Sequence, residues 1–249
     1  MEINSLISRN DPESKQLWEH FAEVDPLTYI LTSLKTRDPR EFWDSGERTV
    51  RQELLPVFQS RGVRTRLAME LGCGLGRLAF PMSRHFAEVV GVDIAREMIR
   101  QATALASENG VGNVSFAAVS GPKDLFGTAR KYAGSVDFLY SLLVFQHIPD
   151  FAIISGYIQV IGVLLEEHGL AYLQFDTRER DLAYRLKTSL PDFLLPRFWR
   201  RGIRRVRRST KELEASFAAA GLQILEQSAP RSAYHRYLVK KFHGATTAI

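Results

Sequence analysis

The chain of 249 residues contains a single cysteine, Cys73. That scarcity excludes intrachain disulfides and any thiolate-rich metal site, and it suits a reducing, cytoplasmic setting. Apolar runs are short, and none reaches the roughly eighteen residues that a membrane-crossing helix needs. The polar, mixed-charge stretch from Met1 to Asp11 lacks the apolar core and cleavage site of a secretory signal. Histidines and carboxylates are nowhere gathered at metal-ligand spacing, so no metal is expected. Internal repeats and low-complexity tracts are also missing.

What is present suits one globular α/β domain. Apolar residues make up 45% and charged residues 24%, and this length serves one well-buried core better than two. The formal charge of +5 is unevenly placed. Between Arg178 and Arg208 stand eleven Lys/Arg against three Asp/Glu, a local balance of +8, which leaves −3 for the rest of the chain.

From Glu13 to Arg61 the pattern is helical. Trp18, Phe21 and Val24 recur at helical spacing, Val50, Leu54, Leu55 and Phe58 form a second apolar stripe, and Pro26 and Pro39 punctuate. Residues 1–61 are expected to form a helical cap or lid. Within it, Phe42-Trp43-Asp44-Ser45-Gly46 reads as a closing element, with Ser45-Gly46 capping the helix that follows. From Leu67 onward, strands alternate with helices. Strands are expected at Leu67–Leu71, Val89–Val92, Val114–Val119, Val136–Tyr140 and Leu170–Phe175. Helices are expected over Gly76–Phe86, Ala95–Asn109 (closed by Gly110) and Asp150–Glu167. After the basic interval, a Ser209/Glu212 capping box opens a helix through Ala220, stopped by Gly221. Two late strands follow at Leu222–Glu226 and Tyr234–Phe242. This order predicts a Rossmann-like, doubly wound α/β fold over residues 62–249: a mostly parallel seven-stranded sheet with a C-terminal antiparallel hairpin and a substrate-side insertion at 177–208.

The most informative stretch is Glu70-Leu71-Gly72-Cys73-Gly74-Leu75-Gly76-Arg77, where a strand must turn sharply toward a helix. Glycines let such a turn approach a ligand without interference from Cβ, although a tight turn with no ligand has the same pattern. Asp93 ends the next strand about twenty residues on, where a carboxylate can accept both hydrogen bonds of a ribose diol. The spacing is Gly-x-Gly-x-Gly, which departs from the Gly-x-Gly-x-x-Gly of a dinucleotide pyrophosphate site. No Lys-Ser or Lys-Thr pair follows, so a Walker-type phosphate loop is excluded. A nucleoside without a diphosphate fits best.

Glu70-x-Gly72-Cys73-Gly74-x-Gly76-Arg77, Val89-Val90-Gly91-Val92-Asp93 and Val136-Asp137-Phe138-Leu139-Tyr140-Ser141 resemble the first, second and fourth motifs of class I S-adenosylmethionine-dependent methyltransferases. The resemblance runs from about Glu41 to Phe242. It implies S-adenosylmethionine as cofactor and S-adenosylhomocysteine as product. Gly72, Cys73 and Gly74 would lay backbone against the methionine part, and Glu70 would hold its amino group through backbone or water. Asp93 would take the ribose hydroxyls, and Ile94 and Met98 would pack on the adenine. Arg77 would pair with Glu70 or the cofactor carboxylate, or else stand at the surface. Tyr140 and Ser141, closing the fourth motif, are counted with the cofactor site. The third motif departs from the family, which often has an acid beside the adenine. Here Val119-Ser120-Gly121-Pro122-Lys123-Asp124 stands instead, with Ser120, the Gly121 backbone or Asp124 as substitutes.

Ligands of an open α/β sheet sit outside the carboxyl ends of its strands, so Tyr140–Asp150 should line the reacting end. This segment has no Asn/Asp-Pro-Pro-Tyr or Pro-Cys signature, which the family ties to methylation of nucleobases; nucleic acid is therefore disfavoured as a partner. His147, with an unperturbed pKa of about 6.5, is a candidate general base for a hydroxyl acceptor. The alternative is a packing role at the start of the next helix. Asp176, ending the fifth strand, is a second catalytic candidate, or a turn cap.

The basic interval, including Phe193-Leu194-Leu195-Pro196-Arg197-Phe198-Trp199-Arg200-Arg201, carries four readings. These are a solvated face, recognition of an anionic acceptor, weak docking of 193–208 to an anionic inner-membrane surface, and RNA binding. The resemblance implies methyl transfer, expected to a small molecule or glycan and at oxygen before nitrogen. A nucleoside-binding adaptor without turnover and an NAD-dependent oxidoreductase are the rivals, the second disfavoured by the glycine spacing.

Overall fold

The computed structural model describes residues 12–27, 38–196 and 203–242. Its centre is a seven-stranded sheet in the order β3-β2-β1-β4-β5-β7-β6. The strands are β1 (Leu67–Leu71), β2 (Glu88–Asp93), β3 (Val114–Ala118), β4 (Val136–Ser141), β5 (Leu165–Phe175), β6 (Leu222–Ser228) and β7 (His235–Lys241). β1 to β5 run parallel, and β7 enters antiparallel between β5 and β6. The mostly parallel sheet with its antiparallel late pair follows the sequence expectation.

Period-two alternation sends side chains to opposite faces. Met69, Leu71, Val90, Val92, Leu139 and Leu173 pack on one face with Phe175, Phe217 and Tyr237. Ala68, Val89, Phe138, Tyr140 and Tyr172 pack on the other with Leu54, Phe58 and Phe86. Burial on both faces explains why these strands read as nearly continuous apolar runs. Chain direction along the sheet reverses between β1 and β4, and a crevice opens there at the carboxyl ends.

The helices used below are α1 (Pro12–Val24), α2 (Pro39–Thr49), α3 (Leu55–Ser60), α4 (Ala79–Met82), α5 (Arg96–Glu108), α6 (Pro122–Ala129), α7 (Phe151–Leu164), α8 (Leu182–Ser189) and α9 (Thr210–Ala219). α2 and α3 join through a π-helical turn, Val50–Leu54. Pro56 lacks the N–H that an α-turn would require there, and Leu55 N donates to Val50 O. The Ser209/Glu212 capping box is formed as expected.

Several local expectations fail for physical reasons. The helix expected over Gly76–Phe86 is only α4, because Pro81 cannot donate to the Arg77 carbonyl. Gly46 packs on that carbonyl: a Cβ there would lie 2.1 Å from Arg77 O. Ser45 and Gly46 therefore sit inside α2 and cap nothing; Asp38 is the cap, its Oδ1 accepting from Arg40 N at 2.9 Å, with Pro39 next. The expected Asp150–Glu167 helix stops at Leu164, and β5 begins at Leu165, earlier than Leu170. Val136 pairs with Leu165 and Phe138 with Leu170, so a bulge lies between them. Gly169 is needed there because a Cβ would stand 2.5 Å from Val136 O. Val24, assigned to an apolar stripe, is 58% exposed. The helices α6 and α8 had no counterpart in the sequence reading.

Candidate functional site

The crevice at the β1/β4 reversal opens onto about 1070 Å³ of space, its solvent-filled mouth included. The glycine turn forms its floor. Gly72 (φ 75°), Gly74 (φ 52°) and Gly76 (φ 86°) all occupy left-handed conformations that side-chain-bearing residues avoid. At Gly72 space is short as well, since a Cβ would lie 2.2 Å from Val144 Cγ2.

The turn keeps its donors for the protein. Gly72 N and Cys73 N both donate to Val92 O, at 2.7 and 3.0 Å. Gly74 N donates to Asp93 Oδ2 at 2.8 Å, and Ala95 N donates to Asp93 Oδ1 at 3.0 Å. With these N–H groups engaged, and only the four-residue α4 beyond, the turn has neither the donors nor the helix dipole that cradle a diphosphate. Each Asp93 oxygen retains a second acceptor site, a suitable pair for a vicinal diol.

Two carboxylates face this crevice, Asp93 and the buried Glu70. Burial pushes Glu70 up to about 8, against the pull of Arg77 and the Tyr140 hydroxyl. Tyr140 Oη donates to Glu70 Oε2 at 3.3 Å. Burial also raises Asp93 and depresses Arg77, whose Nη1 donates to Ser45 Oγ at 3.3 Å. A buried carboxyl held largely protonated beside a crevice is matched by a cationic ligand group, which would favour its ionised form. The Cys73 thiol is buried and its pKa is driven upward, so it is a packing group and no nucleophile.

Of the residues predicted from sequence, Glu70, Gly72, Cys73, Gly74, Arg77, Asp93, Ile94, Met98 and His147 line the crevice. Tyr140, Ser141, Ser120, Gly121 and Asp176 do not. Tyr140 lies beneath Glu70 and is fully buried. Ser141 Oγ donates to Leu71 O at 2.9 Å, tying β4 to β1. Ser120 N donates to Asp124 Oδ2 at 2.8 Å, so Asp124 caps the third-motif turn, and the neighbouring Val119 lines the crevice instead.

Asp176 is corrected as a catalytic candidate. It is fully buried, and Arg178 holds both of its oxygens, Nη2 at 2.6 Å from Oδ2 and Nε at 3.0 Å from Oδ1. Its main chain takes Arg208 N at 2.7 Å. The residue anchors the returning end of the insertion.

Leu142 to Phe145 and Ile148 belong to the Tyr140–Asp150 segment expected at the reacting end, whereas sequence reasoning missed Ser14 and Trp18 of α1, Val119, and Ile153 and Tyr157 of α7. Trp18 had been read only as part of an apolar stripe; it stands edge-on to His147 with ring centroids 5.6 Å apart. Leu143 carries φ 65°, a left-handed conformation at the reacting end that leucine seldom adopts. No periodicity signals either feature.

Around His147, Gln174 Nε2 donates to Gln146 Oε1 at 3.2 Å, and Gln146 Nε2 lies 3.1 Å from His147 Nε2. The pair is compatible with Nε2 as acceptor, Gln146 Nε2 donating, in the tautomer protonated at Nδ1. The basic interval is partly absorbed by the fold. Arg208 is buried, its Nη2 donating to Ile148 O and Pro149 O at 2.5 and 2.7 Å. Residues 197–202 of that interval lie outside the described residues.

Comparison with known proteins agrees with this geometry. A family model described as a methyltransferase domain matches residues 68–169. A ubiquinone biosynthesis O-methyltransferase of Albidiferax ferrireducens is 28% identical over 147 residues, 53% of this chain and 55% of that protein. A 23S rRNA (uracil(1939)-C(5))-methyltransferase of Shewanella amazonensis is 38% identical over 71 residues, 28% of this chain and 16% of that protein. The chain thus spans about half or less of these curated relatives. Among solved structures, magnesium protoporphyrin IX methyltransferase from Synechocystis PCC 6803 with bound SAH superposes with TM-score 0.62 at 18% identity, over 91% of this chain and 98% of that one. The PH0226 protein from Pyrococcus horikoshii gives TM-score 0.62 at 21% identity, over 89% and 98%. Residues 68–169, which carry the glycine turn and both crevice carboxylates, are thus similar to a methyltransferase domain, and the chain shares its fold with these solved structures.

Proposed function

We propose that the chain transfers a methyl group from S-adenosylmethionine to an oxygen of a small-molecule or glycan acceptor. The observation that carries this reading is the crevice chemistry: two carboxylates, Glu70 and Asp93, face a space whose glycine turn has spent its leading N–H groups. That acceptor set suits an ammonium at one end and a ribose diol at the other, and it repels a diphosphate.

When bound, S-adenosylmethionine supplies an electrophilic methyl group on a sulfonium. Glu70 and Asp93 fix the two ends of the cofactor, and Ile94, Met98 and Val119 offer the adenine an apolar slot. The wall from Leu142 to Ile148, with Trp18 opposite, excludes water and contributes one titratable side chain, His147. His147 Nε2 would exchange its bond to Gln146 for the acceptor hydroxyl and would take up its proton, as the methyl leaves sulfur for that oxygen and S-adenosylhomocysteine is released. In that role the surrounding apolar wall favours an uncharged acceptor surface bearing the hydroxyl. Arg207 and Arg208 of the basic interval are already held: Arg207 by Asp181 and Tyr184, Arg208 by backbone carbonyls.

The test is incubation of the purified chain with cell extract and methyl-labelled S-adenosylmethionine, followed by mass spectrometry. A small-molecule product labelled on oxygen is expected. Cofactor binding without any labelled product would overturn the reading in favour of an adaptor. With the acceptor in hand, His147→Ala is expected to cut turnover about a hundredfold while sparing S-adenosylhomocysteine affinity. Unchanged turnover would return His147 to packing.

A further inference from the structure

The helix α8 buries none of its residues. Leu182, Leu186 and Leu190 recur at every fourth position and are 72%, 59% and 46% exposed; Phe193 and Leu194 continue the stripe at 78% and 59%. At about 100° per residue, Arg185 and Lys187 flank that stripe on its two sides. Tyr184 points the other way. Its hydroxyl accepts from Arg207 N at 3.1 Å, and the Arg207 guanidinium lies 4.5 Å from its ring centroid. The contact with the body of the protein thus uses the face opposite the leucines. Folding itself turns the apolar stripe outward, and a patch of this kind on a folded surface marks a contact site.

We propose that this face docks on an anionic lipid bilayer. The leucine stripe enters the headgroup boundary, and Arg185 and Lys187 rest against lipid phosphates. Charge complementarity selects the occupant. Among the described residues of the insertion, 178–196 and 203–208, eight Lys/Arg stand against three Asp/Glu. Asp181, on the same helix end, is engaged by Tyr184 N at 2.7 Å and by Arg207 Nη1 at 3.3 Å. The contact is peripheral, since none of the described helices is long and apolar enough to cross a membrane. The surface begins upstream of the 193–208 segment expected from sequence, at Leu182, and keeps only Phe193 and Leu194 of it, because residues 206–208 fold back onto the domain.

That return places the docking face beside the reacting end. Val206 N donates to Gln146 O at 2.7 Å, Asp176 bridges to Arg207, and Arg208 holds the carbonyls of Ile148 and Pro149. The segment that carries α8 therefore touches the residues on both sides of His147.

The test is flotation of the full chain with vesicles of phosphatidylcholine alone or mixed with phosphatidylglycerol; it needs neither cofactor nor turnover. Binding to the anionic vesicles, weakened by salt, is expected, with little binding to the neutral ones. The combined variant Leu182→Ser, Leu186→Ser, Phe193→Ser is expected to lose about a hundredfold in partitioning. Its melting temperature and S-adenosylhomocysteine affinity should stay unchanged, because these side chains are outside the core. Arg185→Gln with Lys187→Gln is expected to lose roughly tenfold and most of the salt dependence. Failure to bind anionic vesicles at low salt, equal binding to neutral vesicles, or undiminished binding by the leucine variant would overturn the proposal. So would RNA binding by this face without vesicle binding.

Discussion

Asp93 joins two tasks in one carboxylate. It closes the glycine turn by accepting from Gly74 N and starts α5 by accepting from Ala95 N, while its remaining acceptor sites face the crevice. Asp93→Asn keeps the shape and exchanges one acceptor for a donor, so S-adenosylhomocysteine affinity is expected to fall about a hundredfold by calorimetry. Glu70 gives a pH signature. With its folded-state pKa pushed up to about 8, the native protein keeps a proton that the unfolded chain surrenders near its ordinary value of 4.5. The folded state binds more protons across that window, so this group's stabilisation is full below 4.5 and is lost as pH rises toward about 8. Denaturant titrations across the window should show that decline, and Glu70→Gln should flatten it. A cofactor ammonium beside Glu70 favours its ionised form, so binding is expected to release protons at pH 7, read as a dependence of the binding heat on buffer ionisation.

At the scale of elements, the strand ends are locked by polar groups that the pattern of apolar residues does not reveal. Asp137, fully buried at the start of β4, accepts from Arg66 N and Leu67 N at 3.0 Å each and pairs with the Arg66 guanidinium at 2.6 Å. Asp137→Ala strands those N–H groups and is expected to cost about 3 kcal/mol in urea unfolding, with cofactor affinity unchanged in the folded fraction. Gly46→Ala forces a methyl against the Arg77 carbonyl and is expected to cost roughly 1–3 kcal/mol. The strands were legible in sequence because burial on both faces leaves continuous runs such as Val89–Val92. Asp93, the glycine turn and the Ser209/Glu212 cap were legible because short-range chemistry fixes them. The length of α4, the early start of β5 and the internal place of Gly46 were not. The length of α4 turns on Pro81, a local breaker masked by the surrounding apolar pattern, whereas the last two depend on a carbonyl from a distant segment, Val136 O met by Gly169 and Arg77 O met by Gly46. Trp18 belongs to the same class, since its helical spacing signals a buried face without saying that His147 lies against it.

For the whole molecule, strand order places the chemistry. With β1 and β4 adjacent and the chain diverging on either side, the first and second motifs and the segment that follows the fourth converge on one crevice although they lie far apart in sequence. The −3 balance outside the basic interval fits an acidic crevice, and the positive charge is carried by the segment that turns α8 outward. Of the two readings of Asp176 the structure favours the turn cap, with Arg178 N donating to Oδ1 at 3.2 Å; strand-end position alone cannot show that Arg178 folds back on the carboxylate. The most direct measurement is calorimetric titration of the full chain with S-adenosylhomocysteine and, separately, with NAD. Micromolar binding of the first, abolished or strongly weakened by Asp93→Asn, and none of the second are expected. Tight binding of NAD, or S-adenosylhomocysteine binding untouched by Asp93→Asn, would contradict the assignment of the crevice.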